Sequence, residues 1–215
     1  MTADRLTAIP MQRKRDGQQR RRELCDAAIQ VMAEEGSRGL SHQRVDRCAE
    51  VPDGTTSYYY RTRAALLRGV AERVAEIDTA NLQSVVDEPN GSDPLTRLAH
   101  LVMMQADGPG LSLNKARHEL MLISTRDPEL AEIQRSFTTH IRTSVRDAVV
   151  HLQASGTGDV LGLTAAQTVA VTTFISGVFT RFVVGDHAVA DAAQLEGLLR
   201  ALVRAVAESH GDPRP

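Results

Sequence analysis

Apolar residues recur at three- and four-residue intervals along almost the whole chain, and proline, glycine and capping residues cut that recurrence into discrete segments. An interval near 3.6 residues puts those side chains on one stripe of an α-helix, whereas a half-buried strand needs strict alternation. The pattern confines the chain to helices packed on helices. Composition agrees, because 42% of the 215 residues are hydrophobic and only 3% are aromatic. A core rich in Ala, Leu and Val favours a helical bundle over a sandwich or barrel, and the length supports a sizeable one.

The segments read as follows. Leu24, Ala27, Ala28, Val31 and Met32 form a first stripe that ends at Gly36. Ser41 is placed to cap a short helix that turns Val45 and Ala49 inward, and Val51-Pro52 breaks it, since a residue before proline is pushed out of the helical region. A brief helix over about 53–59 follows, and Thr62 caps a long one carrying Leu66, Leu67, Val70, Val74, Ile77 and Val85. Asp93-Pro94 opens a helix that ends at Asp107-Gly-Pro-Gly, and another is expected from about Ser112 to Ser124. Asp127-Pro128 opens a long helix bearing Leu130, Ile133, Phe137, Ile141, Val145, Ala148, Val149 and Leu152, up to the Ser155-Gly-Thr-Gly loop. Thr164-Ala-Ala-Gln167 reads as a capping box that starts a helix ending at Gly185, and Asp191 starts the last. The expectation is an all-α chain of nine helices: three short, a long connector and five more.

Charge is uneven. Residues 1–75 hold 14 Lys and Arg against 10 Asp and Glu, whereas the remainder holds 11 against 17, so a net charge of -2 hides a basic front end on an acidic body. Phosphate binding runs on local positive charge, and Arg13, Lys14, Arg15, Arg20, Arg21 and Arg22 concentrate it, although such a cluster taken alone also reads as a solvated tail. The N-terminus lacks the apolar stretch of a secretory signal, and no apolar run approaches the roughly 18 residues of a membrane span. A cytoplasmic chain with no membrane contact is expected. Cys25 and Cys48 stand far apart with no CxxC, so neither a disulfide framework nor a zinc finger is supported, and both are expected to fill core.

Spacing also argues against familiar catalysis. None of the seven histidines follows a Glu at the three-residue interval of di-iron bundles, HExxH and GxSxG are missing, and with lysines only at 14 and 115 there is no phosphate-binding GxxxxGK. No catalytic residue, metal or cofactor is assigned.

The segment that carries function is SHQRVDRCAEVPDGTTSYYYRTRAALL, from Ser41 to Leu67. A short helix, a tight turn and a second short helix dense in hydroxyls and aromatics suit a brace across the phosphate backbone and a reader in the major groove. Val45, Ala49, Val51, Gly54, Thr55, Tyr59, Tyr60, Arg63, Leu66 and Leu67 resemble the pattern of the TetR family of transcriptional regulators. The likeness covers about residues 20–70. It departs at Glu50, where the family often has glycine in a left-handed turn, at Asp46, where alanine is usual, and at Ser57, where tyrosine is usual.

On chemistry, Thr55, Thr56, Ser57 and Tyr58 offer hydroxyls to base edges or phosphates, Tyr59 and Arg63 are placed for the backbone, and Ser41 and Arg44 join them from the bracing helix. Asp53 either accepts from a cytosine amino group or complements the helix dipole. Tyr60 packs between helices.

The resemblance implies a domain order: a basic flexible arm over 1–19, the helix-turn-helix domain over 20–70, a helical ligand-binding and dimerisation domain over 71–210, and a tail over 211–215. It lifts a set of body residues into a pocket expectation: His100, Met103 and Met104; His118, Met121 and Leu122; Phe137, His140 and Phe174. The last two helices become the expected dimer interface, through Thr172, Ser176 and Gly177 on one, a small-residue face read as interface first and pocket second, and Leu195, Leu198, Leu199 and Leu202 on the other. The implied function is a homodimeric repressor on an inverted-repeat operator in double-stranded DNA, released by a small hydrophobic effector. An all-helical enzyme would need an active site that the spacings do not supply. A helical adaptor protein would leave the hydroxyl-rich short helix unexplained.

Overall fold

A computed structural model describes residues 8–86, 93–153 and 160–211. Among them the chain forms nine helices and no strand: α1 (Ala8–Gly39), α2 (His42–Cys48), α3 (Thr55–Tyr59), α4 (Arg63–Val86), α5 (Pro94–Met103), α6 (Gly108–Ser124), α7 (Pro128–Gln153), α8 (Val160–Val183) and α9 (Ala192–Gly211). The Ser155-Gly-Thr-Gly loop, residues 1–7 and residues 212–215 lie outside the described residues, as do the side chains of Val85, Ala148, Val149 and Leu152.

Helix boundaries follow local chemistry. Ser41 Oγ accepts from the Arg44 amide at 3.3 Å, Asp93 caps α5 through the Leu95 amide at 3.1 Å, and Asp127 Oδ1 accepts from the Glu129 and Leu130 amides at 3.0 and 3.2 Å. Each satisfies a free amide of a first helical turn. Gly36, at φ 69°, interrupts the helical path of α1, and Gly185, at φ 75°, follows the end of α8.

Three boundary expectations and one burial expectation are corrected. α1 begins at Ala8, so the segment expected as a flexible arm is helical through 8–19. Gln and Arg are good helix formers, and Glu23 ties back to Gln19 at 3.3 Å and Arg20 at 2.7 Å. Asp107-Gly-Pro-Gly opens α6 instead of preceding it, with Pro109 in the first turn. Gly110 is required there, because a Cβ would stand 1.8 Å from the Met104 carbonyl oxygen. Thr164 and Gln167 lie inside α8, both buried, and Gln167 Nε2 donates to the Val203 carbonyl of α9 at 2.8 Å instead of capping. Cys25 is buried but Cys48 is exposed.

Two apolar clusters hold the helices. The first joins Leu24, Ala28 and Met32 of α1, Val45 of α2 and Leu66, Val70 and Val74 of α4 to Leu113, Ala116 and Leu120 of α6 and Leu130 of α7. The second packs Leu95, Leu98 and Val102 of α5 against Val171, Val178 and Phe182 of α8 and Leu195 and Leu199 of α9. The N-terminal helices are thus sealed by residues from the body.

Candidate functional site

At the N-terminal end, α3 has only five residues and needs help to persist as a helix. Asp46, 1% exposed on α2, supplies it. Its Oδ2 accepts from the Gly54 amide at 2.8 Å and its Oδ1 from the Thr56 amide at 2.7 Å and the Thr56 hydroxyl. Burial alone would raise the Asp46 carboxyl, but the hydrogen bonds from Thr56 and Gly54, with His42 nearby, outweigh it and hold the group below the ordinary aspartate value.

The side chains expected to touch DNA divide accordingly. Thr56 is fully buried with its hydroxyl spent on Asp46, so it braces α3 and cannot reach a base. Thr55 Oγ1 donates to the Pro52 carbonyl at 2.6 Å. Arg63 is exposed but bonds back onto the end of α1, to the Ser37 carbonyl, and onto the Leu40 carbonyl beyond it at 3.3 Å. Arg44 is exposed but paired with Glu35 and the Gly39 carbonyl, and Ser41 is the α2 cap. Asp53, Ser57 and Tyr58 are left facing outward, Tyr58 being 80% exposed.

Tyr59 meets Tyr58 edge-to-face at 5.1 Å and lies under the Arg21 guanidinium. Tyr60 points inward, its hydroxyl 3.1 Å from Cys25 Sγ, and burial pushes that thiol up to about 11. Gln43, Arg47 and Arg61 are also exposed beside α3, outside the set expected from the sequence. The first two sit opposite inward-facing Val45 and Ala49, so the period of α2 already marked them.

In the body, α4 to α8 enclose a cavity of about 350 Å³. Of the residues expected there, His118, Met121 and Phe137 line it, together with Thr172 and Ser176, for which the pocket is the second of two readings. The rest do not. Met104 and Leu122 are 67% and 62% exposed, His100 and His140 are exposed, and Met103 and Phe174 pack against the second core. α5 ends at Met103, so the stripe continued to Met104 no longer faces inward.

The polar floor was not foreseen. Arg117 of α6 pairs with Asp78 of α4, Nε to Oδ2 at 3.0 Å and Nη2 to Oδ1 at 2.7 Å, and bonds Asn114 Oδ1 at 3.2 Å and Gln105 Oε1 at 3.4 Å. Its guanidinium lies over the Phe179 ring, 5.1 Å from the centroid. His118 places Nδ1 2.9 Å from the Asn114 carbonyl and Nε2 3.2 Å from Thr180 Oγ1. Asp78 follows Val70 and Val74 on the inward stripe of α4, and Arg117 falls between Leu113 and Leu120 on α6. Both are charged residues on apolar faces, and that was the signal available.

On α8 and α9, Leu195 and Leu199 are fully buried within the chain's own core and so cannot form an intermolecular face. Leu202 packs partly against the same core. Leu198 is 41% exposed, and Val169, Gly177, Gly197, Ala201 and Ala205 are exposed on the same two helices.

Residues 94–208, just over half of the chain, match the family of BetI-type transcriptional repressor C-terminal domains within the TetR group. The chain belongs to the TetR family of transcriptional regulators. Solved structures with the same fold include a transcriptional regulator from Rhodococcus sp. Rha1, 20% identical, with 91% of this chain and 99% of that one aligned at a TM-score of 0.70. A protein from Saccharomonospora viridis in complex with choline is 13% identical over 86% of this chain and 95% of its own, at 0.70. The multidrug binding protein EbrR complexed with ethidium is 23% identical over 85% and 97%, at 0.56. No curated protein sequence matches. Regulators of this family are generally not enzymes. Among the described residues of this TetR-family regulator no His, Cys, Asp and Glu group could hold a metal ion, and no helix is long and apolar enough to cross a membrane.

Proposed function

We propose that this TetR-family regulator is a cytoplasmic repressor that binds an inverted-repeat operator as a homodimer and is released by a small molecule in the cavity. Residues 20–70 form the DNA-binding part and 71–210 the ligand-binding and dimerisation part, with contacts through Ser57, Tyr58 and Tyr59 of α3 and the exposed α2 face. Self-association is assigned to the outward sides of α8 and α9 around Gly177 and Leu198. Bound choline and ethidium in two fold neighbours support a cavity that takes small molecules.

One observation carries the reading: α6 belongs to both ends. Its Arg117 and His118 line the cavity, its Leu113, Ala116 and Leu120 sit in the core under α1 and α4, and Glu119 accepts from the Ser37 amide at 2.9 Å where α1 ends. A ligand that binds one position of α6 better than another shifts the placement of the reading helices by its differential affinity.

Selection of bound DNA from a random pool, repeated with a library of small apolar compounds, tests this. The expected result is an inverted repeat with half-sites about 34 Å or a multiple apart, and at least one compound that lowers recovery. Selected DNA without a dyad overturns the proposal.

A further inference from the structure

If the cavity is the effector site, as proposed above, its charge balance selects among effectors. Among the described residues four titratable side chains line it: Asp78, Arg117, His118 and Arg142. Asp78 and Arg117 cancel each other, and the guanidinium is held on three sides by Asp78, Asn114 and Gln105 and stacked on Phe179. A cationic effector would have to displace that guanidinium to reach Asp78, the one carboxylate among the described residues of the wall. Arg142 differs. It is exposed at the cavity rim, one turn beyond Thr138 on α7, and among the described residues it has no hydrogen bond or ion pair.

Of the five hydroxyls that line the cavity, Thr173 carries no charge to match a carboxylate's, and the other four are poor anion donors. Thr172, Ser176 and Thr180 donate to the carbonyls of Thr168, Thr172 and Ser176 at 2.8, 2.8 and 2.9 Å, and Thr138 donates to the Gln134 carbonyl at 2.8 Å. Their protons are spent on backbone, so they turn lone pairs to the cavity. Asn81 and Gln134 add uncharged amides to the wall, and Leu98, Leu101, Ile141, Val145 and Ile175 make the rest of it apolar. A cavity of about 350 Å³ is at the small end of ligand pockets.

We propose that the effector is an amphipathic monocarboxylate, its apolar chain inside the cavity and its carboxylate at the rim on the fork of Arg142, which matches a carboxylate with two parallel hydrogen bonds.

Three probes share one chain and differ in head group: decanoate, decanol and decyltrimethylammonium. In calorimetric titration of the full-length protein, decanoate is expected to bind once per chain and about tenfold tighter than either of the others, the scale of a charge-assisted hydrogen bond. Arg142→Gln should bring the ratio of decanoate to decanol affinity close to one, and Arg142→Lys should recover part of it. Thermal melts of each variant check that the fold is kept. An ammonium probe that binds as tightly as decanoate, or a ratio unchanged in Arg142→Gln, overturns the assignment. Equal binding of all three defeats the head-group assignment and leaves the cavity as the effector site. Failure of all three to bind overturns the proposal, while the DNA selection with the wider library then decides separately whether the regulator responds to any small molecule.

Discussion

Asp46 acts as a cap for a helix it does not belong to, and two consequences belong to that residue. Asp46→Ala removes the acceptor for the Gly54 and Thr56 amides at the start of α3 and should cost about 1–2 kcal/mol, the range for losing a helix cap, read from urea unfolding at neutral pH. Because the folded state holds this carboxyl below its ordinary value, its contribution is complete above roughly pH 3.9 and fades as pH falls through the lower folded-state value. The stability gap between the wild type and Asp46→Asn should therefore close on acidification, and a gap constant from pH 6 to 2.5 would contradict it. Glu50 is the second case. It adopts φ 53° without being glycine, as the departure from the family pattern led one to expect, and Glu50→Gly should gain up to about 1 kcal/mol in the same assay. At this scale the sequence is legible where backbone geometry demands a residue type and illegible where a side chain chooses a direction. Thr56 and Ser57 are both hydroxyls on one short helix, and only the folded positions of Asp46 and α3 turn one inward.

At the scale of elements, periodicity and caps located the nine helices of the described residues, and the misplaced ends share a cause. Asp107-Gly-Pro-Gly and Thr164-Ala-Ala-Gln167 carry signals that suit more than one use: glycine and proline can end one helix or open the next, and a threonine with a glutamine three residues on can cap a helix or lie buried within it. Tertiary partners decide, here the Met104 carbonyl and the Val203 carbonyl. The stripe on α9 likewise mixes two faces. Leu199→Arg puts a charge into the chain's own core and should unfold the protein, at a cost above about 3 kcal/mol. If α8 and α9 carry the proposed self-association, Leu198→Arg should keep the helical circular dichroism and halve the mass seen by light scattering. A Leu198→Arg protein that remains dimeric would move the interface off this face.

The whole molecule does not divide where its motif ends. Leu113, Leu120 and Leu130 complete the core under α1, α2 and α4, and each buried leucine is worth about 1.5–3 kcal/mol, a sum comparable to the full stability of a small domain. A fragment of residues 1–86 should accordingly show no cooperative unfolding transition, and a sharp thermal melt from it would refute the shared core. The motif was legible because it is local in sequence. Its dependence on α6 was not, since the stripe of Leu113, Ala116 and Leu120 reads the same whichever neighbour it packs against. For anyone building hybrid sensors this sets the crossover: a chimera joined after Val70 leaves the borrowed DNA reader resting on a stranger's α6, whereas one that carries Leu113, Ala116, Glu119, Leu120 and Leu130 along with the reader transplants the seat together with the rider.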